Sequence, residues 1–315
     1  MRVLITGGAG FIGSEMVRRL ANSKYKTTVI DSLTYAGNLE SLAQVRNQIE
    51  FLEIDIRDSI NLKNLFEEQK FDAVVNFAAE THVDNSINSP EIFLETNILG
   101  TFNLLELARK YEFKFLQVST DEVYGSIREG EFVESDKLDP SSPYSASKAS
   151  AELFMQAYIK TYSIHAVGVR CSNNYGHYQH FEKLIPAFIS RVINGDKVPV
   201  YGDGSNVREW IHVSDSVSGI LKVLELGQEG QFYNISSGDF RSNLEVTRKI
   251  FEYFGRGDDS IEFIKDRPGH DFRYAISSSK IRDELGWEPK VDFITGLNRT
   301  IQWYVDNPNY LSGRK

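Results

Sequence analysis

The sequence predicts an α/β protein: a Rossmann-type, doubly wound parallel sheet followed by a smaller C-terminal α/β lobe that binds substrate. Short apolar strands alternate with helical patterns, which is typical of a parallel sheet, and a glycine-rich turn joins the first strand to the first helix. The 315 residues suffice for one large domain with a satellite. We expect the sheet domain over 1–170 and the lobe mainly over 171–315, with an approximate boundary that the chain can cross.

The first strand and the turn after it predict a dinucleotide site. Arg2–Thr6 is a short apolar strand, and Gly7, Gly10 and Gly13 follow it directly before a helical pattern. These glycines permit a tight turn, close approach of the backbone to a pyrophosphate, and close packing of the helix on the sheet. A second strand ends in Asp31, about 18 residues on, whose carboxylate would accept hydrogen bonds from an adenosine ribose and repel a 2′-phosphate. The pattern therefore predicts NAD rather than NADP.

Further strands and a long helix continue the alternation. Residues 50–54 predict a third strand, whose exit would border the adenine. Residues 72–77 predict a fourth, and its small exit residues Ala78 and Ala79 allow the backbone to lie close to a ligand. A helix over about 91–110 follows.

Two adjacent carboxylates follow the fifth predicted strand. Residues 113–118 form that strand, and the polar stretch 119–125 after it contains Asp121 and Glu122. Ligands of open α/β sheets bind at the carboxyl ends of strands, where two neighbouring acids could perform different proton transfers. A solvated acidic turn is the alternative that this stretch alone leaves open.

A helical pattern that begins at Pro143 places Tyr144 and Lys148 four residues apart, and therefore on one face. A lysine ammonium close to a phenol stabilises the phenolate and lowers its pKa, which would make the tyrosine a base near neutral pH. An amphipathic helix with an incidental Tyr and Lys is the alternative. The dinucleotide pattern upstream favours the catalytic interpretation.

Composition excludes several other classes of function. The net charge of −9 argues against nucleic acid or an anionic membrane as the main partner. Cys171 is the single cysteine, so no intrachain disulfide or cysteine-based metal cluster can form, and we interpret it as a small core residue. The six histidines lack metalloprotease spacing, so no metal site is predicted. Neither a signal peptide nor an apolar run long enough to span a bilayer is visible, and we expect a cytoplasmic protein.

Past Arg170 the sequence becomes richer in Asn, Gly, Tyr and basic residues, which marks the approximate start of the substrate lobe. A helix is predicted from Glu182 to about residue 194. Arg208 is a candidate phosphate clamp, because a guanidinium can grip a diphosphate with two hydrogen bonds. Residues 267–271 form a second basic, turn-rich segment. A solvated surface is the alternative for each of these.

Taken together, these residues resemble the extended short-chain dehydrogenase/reductase superfamily and, within it, the dTDP-glucose 4,6-dehydratase family. The resemblance runs from Arg2 to about Asn307. Asp121 and Glu122 are its most selective mark, because sugar epimerases of the superfamily lack that acid pair. Its specific segments are 6–13, 31–39, 119–125, 144–148, 173–184 and 266–271.

The resemblance implies a reaction in three stages, which converts dTDP-D-glucose to dTDP-4-keto-6-deoxy-D-glucose and water. Tyr144, assisted by Thr120 and Lys148, would take the proton of the sugar 4-hydroxyl as hydride leaves C4 for NAD. Glu122 would then remove the C5 proton while protonated Asp121 donates to the departing 6-hydroxyl, before hydride returns to C6. One acid must be neutral and its neighbour ionised, which environment can produce.

The resemblance also assigns the binding residues. Those expected to contact NAD are Gly7, Gly10, Phe11, Ile12, Gly13, Asp31, Ser32, Leu33, Thr34, Asp55, Ile56, Phe77, Ala78, Ala79, Thr81, Thr96, Tyr144, Lys148 and Asn174. Those expected to contact the nucleotide-sugar are Thr81, Thr120, Asn173, Glu182, Lys183, Leu184, Pro199, Val200, Tyr201, Arg208, Asn243, Arg267 and His270.

Family resemblance further implies a homodimer, paired through the helices that begin near Glu91 and Pro143, and a product that feeds deoxysugar synthesis such as rhamnose for surface polysaccharides. Thr81 stands where the family usually has serine. His177 and Phe181 stand where proline is expected, and the loop 126–142 is shorter than in many relatives. These departures concern selectivity or loop mobility more than hydride chemistry.

Three alternative functions stay open at the level of the sequence. A UDP-sugar 4,6-dehydratase would use the same catalytic set, since thymine and uracil differ by one methyl group, worth only about 1–3 kcal/mol. In a nucleotide-sugar 4-epimerase, Asp121 and Glu122 would be incidental. In a non-catalytic NAD-binding regulator, Tyr144 and Lys148 would have no purpose either.

Overall fold

The chain folds around one large sheet, with smaller sheets and helices forming a second lobe. The computed structural model describes residues 1–266 and 269–311. Its strands are β1 (Arg2–Thr6), β2 (Lys26–Asp31), β3 (Glu50–Glu53), β4 (Ala73–Asn76), β5 (Lys114–Thr120), β6 (Ala166–Cys171), β7 (Asn173–Tyr175), β8 (Val198–Tyr201), β9 (Val207–His212), β10 (Phe232–Ile235), β11 (Phe240–Ser242) and β12 (Ile261–Ile264).

Helices connect most of the strands. They are α1 (Phe11–Ala21), α2 (Ser59–Glu68), α3 (Val83–Asn88), α4 (Glu91–Phe93), α5 (Thr101–Tyr111), α6 (Pro143–Tyr162), α7 (Leu184–Asn194), α8 (Val213–Leu226), α9 (Asn243–Phe254), α10 (Ser279–Leu285) and α11 (Phe293–Asp306). Four 3₁₀ segments cover Leu39–Gln48, Asp121–Tyr124, Asp258–Ser260 and Pro308–Leu311. No helix within the described residues is long and apolar enough to cross a membrane.

Seven strands form the large sheet in the order β10-β6-β5-β4-β1-β2-β3, and every neighbouring pair is parallel. The predicted doubly wound α/β fold is therefore confirmed. The chain winds outward from β1 in both directions, so the direction of winding reverses between β1 and β4. Ligands of such sheets bind at this reversal, outside the carboxyl ends of the strands.

Both faces of the large sheet are covered by helices, which explains why its strands are continuous apolar runs. Every residue of β4 and of β6 is buried. On one face, Met16 of α1 and Ile220 of α8 belong to an apolar cluster with the strands. On the other face, Leu65 of α2, Leu105 of α5 and Met155 of α6 belong to a second cluster. Burial on both sides fixes the sheet as the rigid support of the ligand edge.

The second lobe contains a three-stranded sheet, β11-β9-β7, and the pair β12-β8. Its apolar core includes Ile189, Trp210, Ile250 and Phe293, from α7, β9, α9 and α11. The chain nevertheless returns to the large sheet after residue 170, because β10 pairs with β6 at its edge. The division into domains 1–170 and 171–315 stays a prediction. Both β10 and α8 come after residue 170 in the chain but pack with the large sheet.

Three local differences from the sequence prediction have physical causes. The predicted helix over 91–110 is interrupted, since Leu94–Gly100 forms a π-helical segment between α4 and α5. The helix predicted from Glu182 begins at Leu184, with Lys183 in extended backbone before it. β10 was not predicted, because its four residues are too short a run to be distinguished from the helices around them.

Lys114, at the start of β5, ties the large sheet to α8. Its ammonium donates to the carbonyl oxygens of Val223 at 3.3 Å, Leu224 at 2.7 Å and Gly227 at 3.3 Å, which lie at the carboxyl end of that helix. A cation at the carboxyl end of a helix also interacts favourably with the helix dipole. We expect Lys114→Met to lower the free energy of unfolding by about 1–3 kcal/mol, because the carbonyls lose their donor.

Urea unfolding monitored by circular dichroism would measure this change. The control is Lys110→Met at an exposed position of α5, which should alter stability by less than about 0.5 kcal/mol. Equal stability of the two variants would contradict the anchoring role of Lys114.

Candidate active site

A cavity of about 310 Å³ opens at the carboxyl edge of the large sheet. Its walls come from the turn after β1 and the exits of β2, β4, β5 and β6, and the segment before α7 closes it from the second lobe. All five predicted catalytic residues line it, namely Thr120, Asp121, Glu122, Tyr144 and Lys148. The structure therefore brings together residues that lie far apart in the sequence.

The glycine turn packs too tightly for side chains. Gly7 has φ +66°, and a Cβ there would lie 2.6 Å from the backbone nitrogen of Ala78. A Cβ at Gly13 would lie 2.2 Å from the carbonyl oxygen of Gly7. The N-cap of α1 is Gly10, so no N-cap side chain occupies the N–H groups of the first turn. The turn thus presents backbone N–H groups at the positive end of a helix dipole, which suits a phosphate group.

Asp31 joins this turn to the next loop. Its carboxylate accepts hydrogen bonds from the backbone N–H of Ala9 at 2.9 Å and of Leu33 at 2.8 Å. The side chain is largely buried and lines the cavity. Through these two hydrogen bonds, Asp31 holds the glycine turn and the loop after β2 in place.

Most of the residues predicted to contact NAD lie on this cavity. They are Gly7, Gly10, Phe11, Ile12, Gly13, Asp31, Ser32, Thr34, Asp55, Ile56, Phe77, Ala78, Ala79, Thr81, Thr96, Tyr144, Lys148 and Asn174. Leu33 does not line it. Inside the cavity, the buried Oδ1 atoms of Asn173 and Asn174 have no hydrogen-bond partner among the described residues. These atoms, with the glycine turn, fit a polar dinucleotide such as NAD.

The acid pair lies in a short 3₁₀ turn capped by Thr120, whose Oγ1 accepts from the backbone N–H of Glu122 at 3.3 Å and donates to Oδ1 of Asp121 at 3.1 Å. Asp121 is 3% exposed, and its Oδ2 has no hydrogen-bond partner among the described residues. Burial raises the pKa of Asp121 well above its usual value, and the charges of Glu122 and Glu209 raise it further. Both effects favour the protonated form of Asp121, as a proton donor requires.

The helix that carries Tyr144 and Lys148 begins where the sequence predicts, for a local reason. Ser142 and Ser145 form a capping box, and Pro143 occupies the first turn. The Lys148 ammonium donates to the Val118 carbonyl of β5 at 2.7 Å. Helix and strand are thus joined directly beside the acid turn.

The electrostatics of Tyr144 differ from the sequence-based expectation. Burial, and then the charge of Glu122, raise the pKa of Tyr144 well above its usual value, while the hydrogen bond with Thr120 acts in the opposite direction. Lys148 is itself buried, and its pKa falls to about 8, against an upward effect of Glu152. Desolvation is the largest of these effects, and it acts against the lowered pKa that the sequence pattern predicts for the phenol.

Part of the predicted nucleotide-sugar set reaches the cavity. Thr81, Thr120, Asn173 and Lys183 line it. The Lys183 ammonium donates to the Thr81 carbonyl at 2.8 Å, which ties the start of α7 to the exit of β4. This bond closes the cavity on the side of the second lobe.

The rest of that set does not line the cavity. Glu182, Leu184, Pro199, Val200, Tyr201, Arg208, Asn243 and His270 are absent from its walls, and Arg267 lies outside the described residues. Leu184 and Val200 instead pack in the core of the second lobe. His270 pairs with Asp266 at 2.6 Å, and its ring lies 6.1 Å from that of Tyr201.

Arg208, the predicted phosphate clamp, is 5% exposed and firmly oriented. Its guanidinium donates to the carbonyl oxygens of Val207 at 2.8 Å and Asp271 at 3.0 Å, and lies 4.3 Å from the centre of the Tyr274 ring. It is close enough to Asp121 to lower the pKa of that acid. Arg208 thus lies beyond the acid pair, where the nucleotide half of a substrate would extend.

The residues that depart from the family pattern lie beside the cavity. His177 stacks on Trp303 with ring centroids 5.2 Å apart, and the ring of Phe181 lies 4.4 Å from that of His180. The short loop 126–142 is held at its middle, where Phe132 pairs with Ile276. Neither His177 nor Phe181 is part of the cavity wall.

Several wall residues escaped sequence reasoning, among them Tyr35, Glu80 and His180. The rings of Tyr35 and His180 meet edge-to-face with centroids 5.3 Å apart, across the mouth between the two lobes. Burial raises the pKa of Glu80, against the hydrogen bond from Tyr35. Tyr35 and His180 lie within the quoted segments 31–39 and 173–184, and Glu80 lies between the predicted contacts Ala79 and Thr81, so all three could have been found there.

The fold and site define a class of protein: an extended short-chain dehydrogenase/reductase with an acid pair added beside its tyrosine and lysine. A sequence model of the family described as GDP-mannose 4,6 dehydratase matches residues 4–300. The chain belongs to this group of nucleotide-sugar-modifying enzymes and, within it, to the dTDP-glucose 4,6-dehydratase family.

Three similar proteins illustrate the relationship. The dTDP-glucose 4,6-dehydratase of Mycobacterium tuberculosis (strain ATCC 25618 / H37Rv) is 46% identical over 316 residues, covering 98% of this chain and 95% of that protein. The dTDP-glucose 4,6-dehydratase of Streptomyces venezuelae, crystallised with NAD and dTDP bound, has a TM-score of 0.95 and 45% identity over 99% of both chains. The UDP-glucose 4-epimerase of Thermotoga maritima has a TM-score of 0.92 and 30% identity over 98% of this chain and all (100%) of that one.

Proposed function

We propose that this chain is an NAD-dependent dTDP-glucose 4,6-dehydratase, which produces dTDP-4-keto-6-deoxy-D-glucose and water for deoxysugar synthesis. One observation supports this above the others: Asp121 and Glu122 face the same cavity as Tyr144, Lys148 and the glycine turn. A redox site needs only the tyrosine and lysine. The acid pair adds proton transfers of the kind that elimination of water requires.

Incubation with dTDP-glucose, followed by the alkali-induced absorbance of a 4-keto-6-deoxy product, tests this function. The same assay with UDP-glucose decides the nucleotide. A faster reaction with UDP-glucose would favour the UDP-sugar alternative. Formation of dTDP-galactose without a keto product would instead show a 4-epimerase, the activity named for the Thermotoga maritima structure.

The first stage depends on the base. NAD, when bound, accepts the C4 hydride and later supplies it to C6. Tyr144 takes the proton of the sugar 4-hydroxyl, with Thr120 hydrogen-bonded to the phenol and Lys148 holding positive charge nearby. Burial and the charge of Glu122 raise the pKa of Tyr144, so positive charge added to the cavity would favour ionisation of the phenol. The oxidised nicotinamide is a cation and acts in that direction.

The second stage depends on the acid pair. The new ketone at C4 acidifies the C5 hydrogen, and Glu122 removes it as a proton, which returns to C5 when hydride adds to C6. Asp121, kept protonated by burial, donates its proton to the departing 6-hydroxyl. Their neighbouring positions in one 3₁₀ turn let a single sugar ring meet both groups.

The glycine turn, Asp31 and the exits of β3 and β4 bind NAD in this proposal, and Thr81, Asn173 and Lys183 bind the sugar half of the substrate. The nucleotide half extends past the acid pair towards Arg208, Asn243, Tyr201 and His270 in this proposal, whereas Arg267 lies outside the described residues. Arg208 is already oriented by backbone carbonyls. A guanidinium held in one orientation suits a diphosphate. The cytoplasmic location expected from the sequence stays a prediction.

Glu122→Gln is expected to permit C4 oxidation and to block water loss, because the amide cannot accept the C5 proton. Formation of the keto product should fall by about 100-fold or more, while NADH still forms in a single turnover. Glu129→Gln, in the exposed part of the loop 126–142, is the control and should react at the parental rate. Dehydration by Glu122→Gln at the parental rate would show that its assigned role is wrong.

Tyr144→Phe is expected to impair the first hydride transfer, because the ring remains while the base is lost. NADH formation after mixing with dTDP-glucose should slow by about 100-fold or more. Tyr162→Phe, at the end of the same helix and 46% exposed, is the matched control. Parental NADH formation in Tyr144→Phe would exclude it as the base.

A homodimer through α4, α5 and α6 is also part of the proposal. Leu94, Leu99, Leu153 and Phe154 are exposed on these helices or the π-helical segment between them, at 55%, 48%, 56% and 44%. We expect Leu153→Glu to convert dimers to monomers in sedimentation velocity, because it places a charge in an apolar contact. Ile60→Glu on α2, at a position 71% exposed, is the control. A monomeric parent chain would contradict the dimer.

A further inference from the structure

A fully buried ion pair lies behind the catalytic cavity, on residues to which the reaction assigns no part. Arg170 of β6 is 2% exposed and Glu152 of α6 is 0% exposed. The guanidinium meets the carboxylate with two of its nitrogens: Nε lies 3.0 Å from Oε2, and one terminal nitrogen lies 2.7 Å from the same oxygen. Buried pairs of this kind contribute little to stability compared with apolar residues of similar size. Stability alone therefore does not account for the pair.

The pair continues into the acidic turn. The other terminal nitrogen of Arg170 donates to the Tyr124 hydroxyl, and this hydroxyl donates to Oδ1 of Asn234 at 2.9 Å. The guanidinium carbon also lies 4.7 Å from the Tyr124 ring centre and 4.5 Å from that of Phe232. We call these residues, Arg170, Glu152, Tyr124 and Asn234, the Arg170 network. Each polar group in it has a partner, so the network has one preferred arrangement.

The members of the Arg170 network occupy positions adjoining the catalytic groups. Glu152 lies four residues beyond Lys148 on α6, and therefore on the same face of that helix. Tyr124 ends the 3₁₀ turn that contains Asp121 and Glu122. Arg170 pairs in register with Ser119 of β5, the residue directly before Thr120. One guanidinium thus contacts both the helix that carries the base and the turn that carries the acids.

We propose that Arg170 and Glu152 are positioning residues, which hold the Tyr144–Lys148 helix and the Asp121–Glu122 turn at the separation that successive hydride and proton transfers need. The inference rests on the proposed dehydratase function. A small displacement between catalytic groups can cost about 100-fold in rate without loss of the fold. The network therefore acts on the rate of reaction more than on substrate binding.

The double variant Glu152→Met/Arg170→Met tests the proposal, because it replaces the pair by apolar side chains of similar length. We expect a folded protein by circular dichroism, a KM for dTDP-glucose within about 2-fold of the parent, and a kcat lowered by about 10- to 100-fold. The control is Arg248→Met/Asp258→Met, which removes an ion pair whose side chains are 53% and 55% exposed. The control should retain the parental kcat.

Tyr124→Phe separates the two stages, and it decides the question if the double variant does not fold. It keeps the ring, stacked on Phe132 with centroids 5.0 Å apart, and removes only the hydroxyl that joins Arg170 to Asn234. Because Tyr124 belongs to the acidic turn, elimination should slow more than C4 oxidation, so NADH should accumulate during a single turnover. If the ratio of the elimination rate to the C4 oxidation rate in Tyr124→Phe equals that of the parent, the proposal is overturned.

A pH profile gives a readout that a merely structural role would not move. Glu152 of α6 and Cys171 of β6 lie close enough to affect the pKa of Lys148. Asp121 and Glu122 of the turn, and Tyr35, act in the same way on Tyr144. Glu152 raises the pKa of Lys148, which burial has lowered to about 8. In Glu152→Gln that upward effect is lost, so the alkaline limb of kcat, where Lys148 loses its proton, should shift to lower pH. An unmoved limb would contradict the proposal.

The outcomes for the unsubstituted chain separate the two levels of inference. A parent chain that does not dehydrate dTDP-glucose would overturn the proposed function and this inference with it. An active parent together with an equally active Glu152→Met/Arg170→Met variant would overturn this inference alone.

Discussion

The parallel register of β1, β4, β5 and β6 is the constraint on which the site depends. Parallel strands end at one edge, and four strand exits therefore converge on a single cavity. Burial of both sheet faces fixes that register, because a shift would move apolar side chains out of two cores at once. Thr120 at the end of β5 and Cys171 at the end of β6 are paired neighbours for this reason. Backbone pairing of the strands thus sets the positions of the residues that line the cavity.

Burial at this edge has opposite consequences for different groups. It keeps the carboxyl of Asp121 protonated, which suits an acid, and it raises the pKa of the Tyr144 phenol, which opposes a base. The same desolvation lowers the pKa of Lys148 to about 8 and raises that of the Cys171 thiol to about 12. Cys171 is therefore an inert wall residue, as its sequence neighbours indicate. Burial thus favours the neutral form of both groups, which suits an acid and opposes a base.

Related enzymes show that the fold alone does not specify the activity. The dehydratase of Streptomyces venezuelae and the epimerase of Thermotoga maritima match the chain with TM-scores of 0.95 and 0.92. Activity within such a shared fold is decided by the groups grafted onto it. In this chain those groups are the two acids of the 3₁₀ turn after β5, and the Arg170 network joins that turn to the helix of the base. The proposed activity of this chain is thus assigned to a few residues at one strand exit.

The sequence by itself determined the features that depend on local chain geometry. A glycine turn between strand and helix and a four-residue Tyr–Lys spacing have the same meaning wherever they occur, and the residues of both patterns line the cavity. The family resemblance supplied the other predicted NAD contacts, all of which except Leu33 also line it. Only the tertiary structure decided the rest. The return of β10 to the sheet, the contact of Tyr35 with His180, the buried pair of Arg170 and Glu152, and the protonation of Asp121 all join residues distant in sequence or depend on desolvation. The desolvation of a group depends on every element packed around it, so it cannot be read from one stretch of sequence.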